Sequence, residues 1–313
     1  RGFKSLHAHM KKKKISVVFL GTGFPFPDPK KSGPSVAILV DERVYIVDAG
    51  VGAVRRFQEG ILEKKISGVH QKDIQTLFLT HLHADHTMGL PDIIFTPWIM
   101  GRTEPLSVFG PQGTKSMVNH IQKAYKEDVD IRTTGLEKGN KTGYKTKVKE
   151  ISSGIVYEDE CVKVKAFRVK HGSWKYAYGY TFIIGDKKIV ISGDTKPHPN
   201  VIKEAKGADV LIHEVASDTE YGKYKGWTRY MKSFHTSANE LGDIAVKTKP
   251  KKLFLIHQIH RYVSATKLVA EVKKKYKGVV KYANDLDVTW QRNLDWNHWT
   301  VTYDSSSKIR EIY

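Results

Sequence analysis

The chain has 313 residues, 40% of them hydrophobic, which is enough to bury a full core as one large domain or as two halves sharing one. Cys161 is the only cysteine, so an intrachain disulfide and a thiolate metal cluster are excluded and a reducing compartment is slightly favoured. With 52 Lys and Arg against 33 Asp and Glu, the formal net charge is +19, an attractive field for nucleic acid, sulfated or phosphorylated substrates or anionic lipid that does not choose among them.

No apolar run approaches the roughly 18 to 20 residues of a membrane span. Residues 1–14 read as a basic extension beginning at Arg1. Met10 is a candidate internal start, and a cleaved signal peptide is the other reading, so cytoplasmic and secreted or periplasmic locations both stay open. Residues 15–20 predict a strand that breaks at Gly21-Thr22-Gly23 into a proline-rich loop, 24–34, with neither a Walker A nor a Gly-x-Gly-x-x-Gly pattern. Runs 35–40 and 44–47 predict a hairpin ending at Asp48, ahead of a helix over 51–58. A carboxylate placed there either holds a metal-ligating histidine from behind or caps the helix.

The apolar run 74–79 enters Thr80-His81-Leu82-His83-Ala84-Asp85-His86. His81 and His83, two apart, point the same way beyond a strand end, while Asp85 and His86 turn to the other side, which places ligands for two metal ions. Imidazole with carboxylate suits zinc, and manganese or iron fit nearly as well. Residues 93–100 are apolar with Trp98, 106–109 form a short strand, and 113–126 have helical spacing. Residues 128–149 break the pattern with three glycines and five lysines, predicting a projecting loop or lid, or else a solvated hairpin. Strands follow over 151–156, 162–169, 178–184, 188–191, 210–212 and 253–256, with helices over 200–206, 236–248 and 264–275. Their ends carry His171, Asp194, Glu214 and His257, and a layered sheet gathers strand ends along one edge. His7, His9, His70, His120, His198, His213, His260 and His298 read as surface or core residues, although His198 is near enough to Asp194 to reach a site mouth. The tail from 287 on, with Trp290, Trp296, Trp299 and Tyr303, reads as added strands or a contact surface.

Asp48, the His81–His86 motif, His171, Asp194 and His257 occur in an order that resembles the metallo-β-lactamase superfamily over residues 15–290, leaving 291–313 as an aromatic-rich extension. The resemblance implies an α/β fold, the αβ/βα four-layer sandwich with mixed sheets. It also implies two divalent ions, with His81, His83 and His171 at one, Asp85, His86 and His257 at the other, and Asp194 between them. Such ions lower the pKa of a shared water, so no serine or cysteine nucleophile is required.

Glu214 in Ile212-His213-Glu214-Val215 and His235 in Phe234-His235-Thr236-Ser237 resemble the Glu and His pair of ribonuclease Z and of type III arylsulfatases. That likeness implies catalytic roles for Asp85, His235 and Glu214. The tRNA-gripping arm of ribonuclease Z is commonly inserted between the positions of His171 and Asp194, where only residues 172–193 lie, and the loop over 25–34 lacks its Lys-x-Arg-Asn run. Gly21-Thr22-Gly23 and Lys170-His171-Gly172-Ser173-Trp174 look more like the arylsulfatase branch. Phe24, Phe26, Trp98, Trp174, Tyr176, Tyr178 and Trp227 are candidates to wall an aryl pocket. The expected activity is therefore metal-dependent hydrolysis of a small anionic ester, an aryl sulfate or a phosphate mono- or diester, with tRNA 3′ processing as the alternative. Nucleic acid is the less favoured partner, and a homodimer is possible.

Overall fold

Among residues 13–221 and 225–289, which the computed structural model describes, runs of Val, Ile and Phe pair into two seven-stranded mixed sheets. The first contains β1 (Ile15–Gly21), β2 (Ser35–Val40), β3 (Arg43–Val47), β4 (Ile74–Phe78), β5 (Leu106–Gly110), β6 (Thr146–Glu150) and β14 (Val288–Thr289), in the order β14-β1-β2-β3-β4-β5-β6. The second contains β7 (Gly154–Glu158), β8 (Lys163–Arg168), β9 (Tyr178–Ile184), β10 (Lys187–Ile191), β11 (Val210–Ala216), β12 (Lys252–Ile259) and β13 (Val280–Tyr282), in the order β13-β12-β11-β10-β9-β8-β7. Each sheet begins as an antiparallel meander and continues with parallel strands, from β3 in one and β10 in the other, so the two halves are pseudo-symmetric.

Alternation along each strand builds the layers, because successive side chains leave opposite faces. Val17, Phe19, Ile38 and Phe78 meet Tyr180, Phe182, Ile189 and Ile212 between the sheets. Their neighbours Val18, Leu20, Ile46 and Leu77 face outward onto α1 (Ala53–Leu62), α3 (Leu90–Ile99) and α4 (Thr114–Ala124). Likewise Val190, Leu211, Leu253 and Leu255 face α6 (Pro199–Ala205), α9 (Ala238–Thr248) and α10 (Ala265–Lys273). Both faces of both sheets are thus covered, which is why these strands carry near-continuous apolar runs. At about 1.5–3 kcal/mol for each large apolar side chain, the three interfaces dominate the stability. The short α2 (Ala84–Thr87), α5 (Lys126–Thr134), α7 (Asp218–Tyr221) and α8 (Lys225–Phe234) complete the helices.

Four expectations change. Residues 128–149 do not project as one loop: their first part continues α5 and their last part becomes β6, pairing in parallel with β5. The intervening turn is fastened down, since the Trp98 indole donates to Asn140 O at 2.8 Å and Asn140 Nδ2 to Arg102 O at 3.1 Å. The buried Arg102 guanidinium donates to the carbonyls of Gly143, Ile74, Ile93 and Ile94, and its burial brings its pKa down to about 10.

Glu214 and His257 do not follow their strands but lie inside β11 and β12. The helix after Asp48 begins at Ala53 with Gly52 at its cap, so Asp48 caps nothing there. His198 is an N-cap, its Nδ1 accepting from Asn200 N at 3.2 Å. His7, His9, His298 and the tail residues Trp290, Trp296, Trp299 and Tyr303, like the Trp227 side chain, lie outside the described residues.

Candidate metal centre and active site

Asp48 leaves β3 in a left-handed conformation, φ 63°, and its carboxylate becomes the hub of one side of the site. It accepts from Thr80 N at 2.8 Å, from Thr80 Oγ1 at 2.9 Å and from His86 Nδ1 at 2.8 Å. A carboxylate only accepts, so with a metal bound His86 would keep its proton on Nδ1 and present a bare Nε2, which has no hydrogen-bond partner; without one, burial lowers the ring's pKa but the charges of Asp194 and Asp48 outweigh it and raise the ring well above its ordinary value. Thr80 has spent its hydroxyl proton on Asp48, so its oxygen receives the proton of His81 Nδ1 at 3.0 Å and leaves His81 Nε2 bare as well. His171 Nδ1 donates to Phe234 O at 2.7 Å, with the same result.

These nitrogens converge. His81 Nε2 and His171 Nε2 lie 2.9 and 3.1 Å from His83 Nδ1, where a single proton cannot satisfy all three. A cation can. Burial, the largest influence, lowers the pKa of all three imidazoles, that of His171 to about 3, so they stand neutral, the protonation state that metal ligation needs. On the other side, α2 starts at Ala84 with His83 as its N-cap and turns Asp85 and His86 toward His257, whose Nε2 lies 3.2 Å from Asp85 Oδ2. Asp194 Oδ2 stands between the sets, 3.4 Å from His86 Nε2, 3.2 Å from His257 Nε2, 4.0 Å from His81 Nε2 and 3.9 Å from His171 Nε2. The donor atoms of His81, His83, His171 and Asp194 lie within 4.8 Å of one another, as do those of Asp85, His86 and His257. Two groups of three or four N and O donors, with orphaned ring nitrogens aimed inward, fit two divalent ions.

Backbone irregularities aim these side chains. β11 and β12 pair Glu214 with Ile256 and Val215 with Gln258, so His257 is the extra residue of a bulge, at φ 44°, and is thrown out of the pleat toward Asp85. Gly172, at φ 50°, lies where a Cβ would meet the Phe234 ring at 2.0 Å. Only glycine allows that ring to sit against the loop while Gly172 N donates to Ser233 O at 2.8 Å.

Glu214 reaches the same edge. Its carboxylate accepts from Thr195 N at 2.9 Å and from His235 Nδ1 at 3.1 Å. The cap of α9 is Ser237, so His235 is free of that duty. Burial raises the Glu214 carboxyl; burial alone would lower His235, but the charge and hydrogen bond of Glu214 outweigh it and raise the imidazole above its ordinary value.

A cleft of about 950 Å³ opens onto these groups, lined by His83, Asp85, Asp194, His235 and His257 together with Phe24, Phe26 and Tyr230. Of the described aromatics expected to wall a pocket, Phe24 and Phe26 alone line it. The Trp174 indole N–H donates to His83 Nε2 at 2.6 Å, whereas Trp98 and Tyr178 are buried in the core and Tyr176 packs against it. Sequence reasoning missed Asp285, which ties the loop bearing Phe24 to the body of the protein. Its isolated carboxylate in an Asn-Asp-Leu-Asp turn gives no local signal.

A family description, Beta-lactamase superfamily domain, matches residues 43–258, more than half of the chain. The chain belongs to the beta-lactamase superfamily. Among relatives of this superfamily member, ribonuclease Z of Pyrococcus abyssi is 30% identical over 282 residues, 79% of this chain and 87% of that protein. Ribonuclease Z of Picrophilus torridus is 28% identical over 298 residues, 83% and 90% of the two. In fold, the chain is similar to the short form of human tRNase Z, with a TM-score of 0.66 at 23% identity over 89% of this chain and all of the other. The metallo-beta-lactamase fold protein YhfI of Bacillus subtilis gives 0.66 at 18% identity over 88% and 99%. The fold is the expected α/β sandwich, and the named relatives favour the ribonuclease alternative over the aryl-ester reading.

Proposed function

We propose that the protein is a metal-dependent phosphodiesterase that cleaves RNA, the activity named in its ribonuclease Z relatives. The observation that carries the reading is the placing of the Glu214 and His235 pair beside two converging donor sets. Ions held by His81, His83 and His171, and by Asp85, His86 and His257, with Asp194 between, would polarise a phosphoryl oxygen and acidify water; zinc is the simplest choice.

The chain supplies the rest. Asp85, partly open to the cleft, accepts a proton from the attacking water. Glu214 holds the Nδ1 proton of His235, so Nε2 is the atom that donates to the departing oxygen. Trp174 packs edge-on against the His83 ring and Phe234 edge-on against His171, which fixes the orientation of both imidazoles.

A second reading, hydrolysis of small aryl sulfates or phosphates, is favoured by one feature. β9 and β10 are joined directly through residues 185–186, leaving no arm for gripping tRNA there.

The test sets a precursor tRNA with a 3′ trailer beside bis(4-nitrophenyl) phosphate and 4-nitrophenyl sulfate, using metal-loaded protein. We expect cleavage of the RNA and of the phosphodiester, with both lost on chelation. Turnover of the sulfate alone would move the assignment to the second reading. His235→Ala should slow RNA cleavage by about 10²-fold or more but nitrophenyl ester cleavage far less, because nitrophenolate departs without a proton.

A further inference from the structure

The cleft has a charged floor and an aromatic wall, and the wall is built with more fastening than a surface loop needs. Phe24 lies edge-on to His257 with ring centres 6.4 Å apart, Phe26 lies nearly parallel to Phe24 at 6.0 Å, and the Arg261 guanidinium sits 4.7 Å over the Phe26 ring. From α8, Tyr230 stacks on Phe234 at 4.3 Å and lies 6.0 Å from His235. Phe26 is 45% exposed and Tyr230 44%, so both rings still face water in the cleft they line.

The loop that carries Phe24 and Phe26 is closed by Asp285, more than 250 residues away in sequence. Its carboxylate, only 6% exposed, accepts from Thr22 N at 3.0 Å, Thr22 Oγ1 at 2.9 Å and Ser32 N at 2.6 Å, and Arg56 Nε stands 3.3 Å away. Thr22 and Ser32 are the two legs of the loop, joined again by Gly23 N donating to Ser32 O at 3.0 Å. Beside Ser32, Lys31 Nζ donates to Gln258 Oε1 at 2.6 Å and contacts the Tyr282 hydroxyl. Pro25, Pro27 and Pro29 restrict φ between the legs. A loop pinned in this way presents its rings without an ordering cost on binding. Aromatic rings beside a phosphate-sized charged floor are what recognition of unpaired nucleotides uses, and a cleft of this volume is larger than a phenyl ester fills.

We propose that Phe24, Phe26 and Tyr230 form a subsite for a nucleobase joined to the phosphate over the floor, and that Asp285 positions its wall. The proposal rests on the phosphodiester reading above and adds to it a ring requirement.

The test is binding, so it does not depend on catalysis. Adenosine 5′-monophosphate and ribose 5-phosphate carry the same phosphate and differ in the base. Titrated calorimetrically into metal-loaded protein, the nucleotide should bind at least about fivefold tighter, the low end of base stacking on an aromatic side chain. In Phe24→Ala/Phe26→Ala that preference should fall below about twofold while ribose 5-phosphate affinity holds. In the conservative Asp285→Asn, with its fold checked by thermal melting, the preference should also fall. Equal affinities in the unaltered protein, or a preference unchanged by the phenylalanine substitutions, would overturn the subsite. An unchanged preference in Asp285→Asn would overturn its positioning role. A base preference in a protein that cleaves no RNA would sink the proposed activity and leave the subsite standing.

Discussion

Asp194 and Asp85 show how much one atom's position matters. Asp194 Oδ2 faces nitrogens from both donor sets, whereas Asp85 Oδ2 faces His86 and His257 of one set alone. Elemental analysis after dialysis should therefore find both ions depleted in Asp194→Ala and about one lost in Asp85→Ala; full occupancy in either would remove that residue from the ligand set. A different carboxylate tests the electrostatics away from the site. Asp159 accepts from the Tyr45 and Tyr157 hydroxyls at 2.6 and 2.7 Å and from the Cys161 and Val162 amides at 2.8 Å each. Burial pushes its pKa up, but these hydrogen bonds outweigh it and hold the carboxyl below its ordinary value. A depressed carboxyl stabilises the fold above the unfolded pKa, about 3.9, and the contribution fades as pH falls through the lower folded value. Asp159→Asn should thus cost about 1–3 kcal/mol at pH 7 and less at pH 3, measured by denaturant unfolding at the two values. A loss that grew on acidification would contradict the assignment.

At the scale of elements, the segment after α4 changes its meaning once packed. The five lysines of 128–149 read as solvated, and all are exposed, yet the turn between α5 and β6 closes over Arg102 and supplies Gly143 O, one of the four carbonyls to which the buried guanidinium donates. The fastening is local: Asn140 and Gly143 meet Trp98 and Arg102 on the outer side of the first sheet, and none of these residues lines the cleft. Deleting residues 136–146 should accordingly destabilise the fold by roughly 3 kcal/mol or more, because it strips partners from a buried charge. Thermal unfolding would register this loss, and a deletion variant as stable as the parent would show that the turn is not part of the Arg102 packing. The joint of α8 works the other way: its last carbonyls hold His171 and Gly172, so an element bordering the cleft also orients a candidate ligand.

For the whole molecule, the +19 charge becomes testable once RNA is the proposed substrate. Each phosphate neutralised releases counterions, so binding of a structured RNA should weaken with salt at a log–log slope near −0.9 per contact. A slope of several units is expected from fluorescence titration of precursor tRNA across salt concentrations. A slope near one would mean that the charge is general solubility and that only the phosphate at the floor is held.

The same distinction of range separates what the residues declared from what the fold decided. The candidate donor cluster and the layered α/β class were legible because they rest on short spacings: His81, His83, Asp85 and His86 share one loop, and alternating apolar runs fix strands whose ends carry His171 and Asp194. The role of Asp48 stayed open between two local geometries until the chain placed His86 and Thr80 against it. The bulge at His257 depends on how β12 registers with β11, the clamp of Asp285 on Thr22 and Ser32 joins opposite ends of the chain, and Trp98 belongs to the core because α3 turns it inward. Periodicity is a property of neighbours in sequence, so it determined elements and ligand types; register, bulges and loop anchorage depend on residues far apart in sequence, and only the packed sheets settled those.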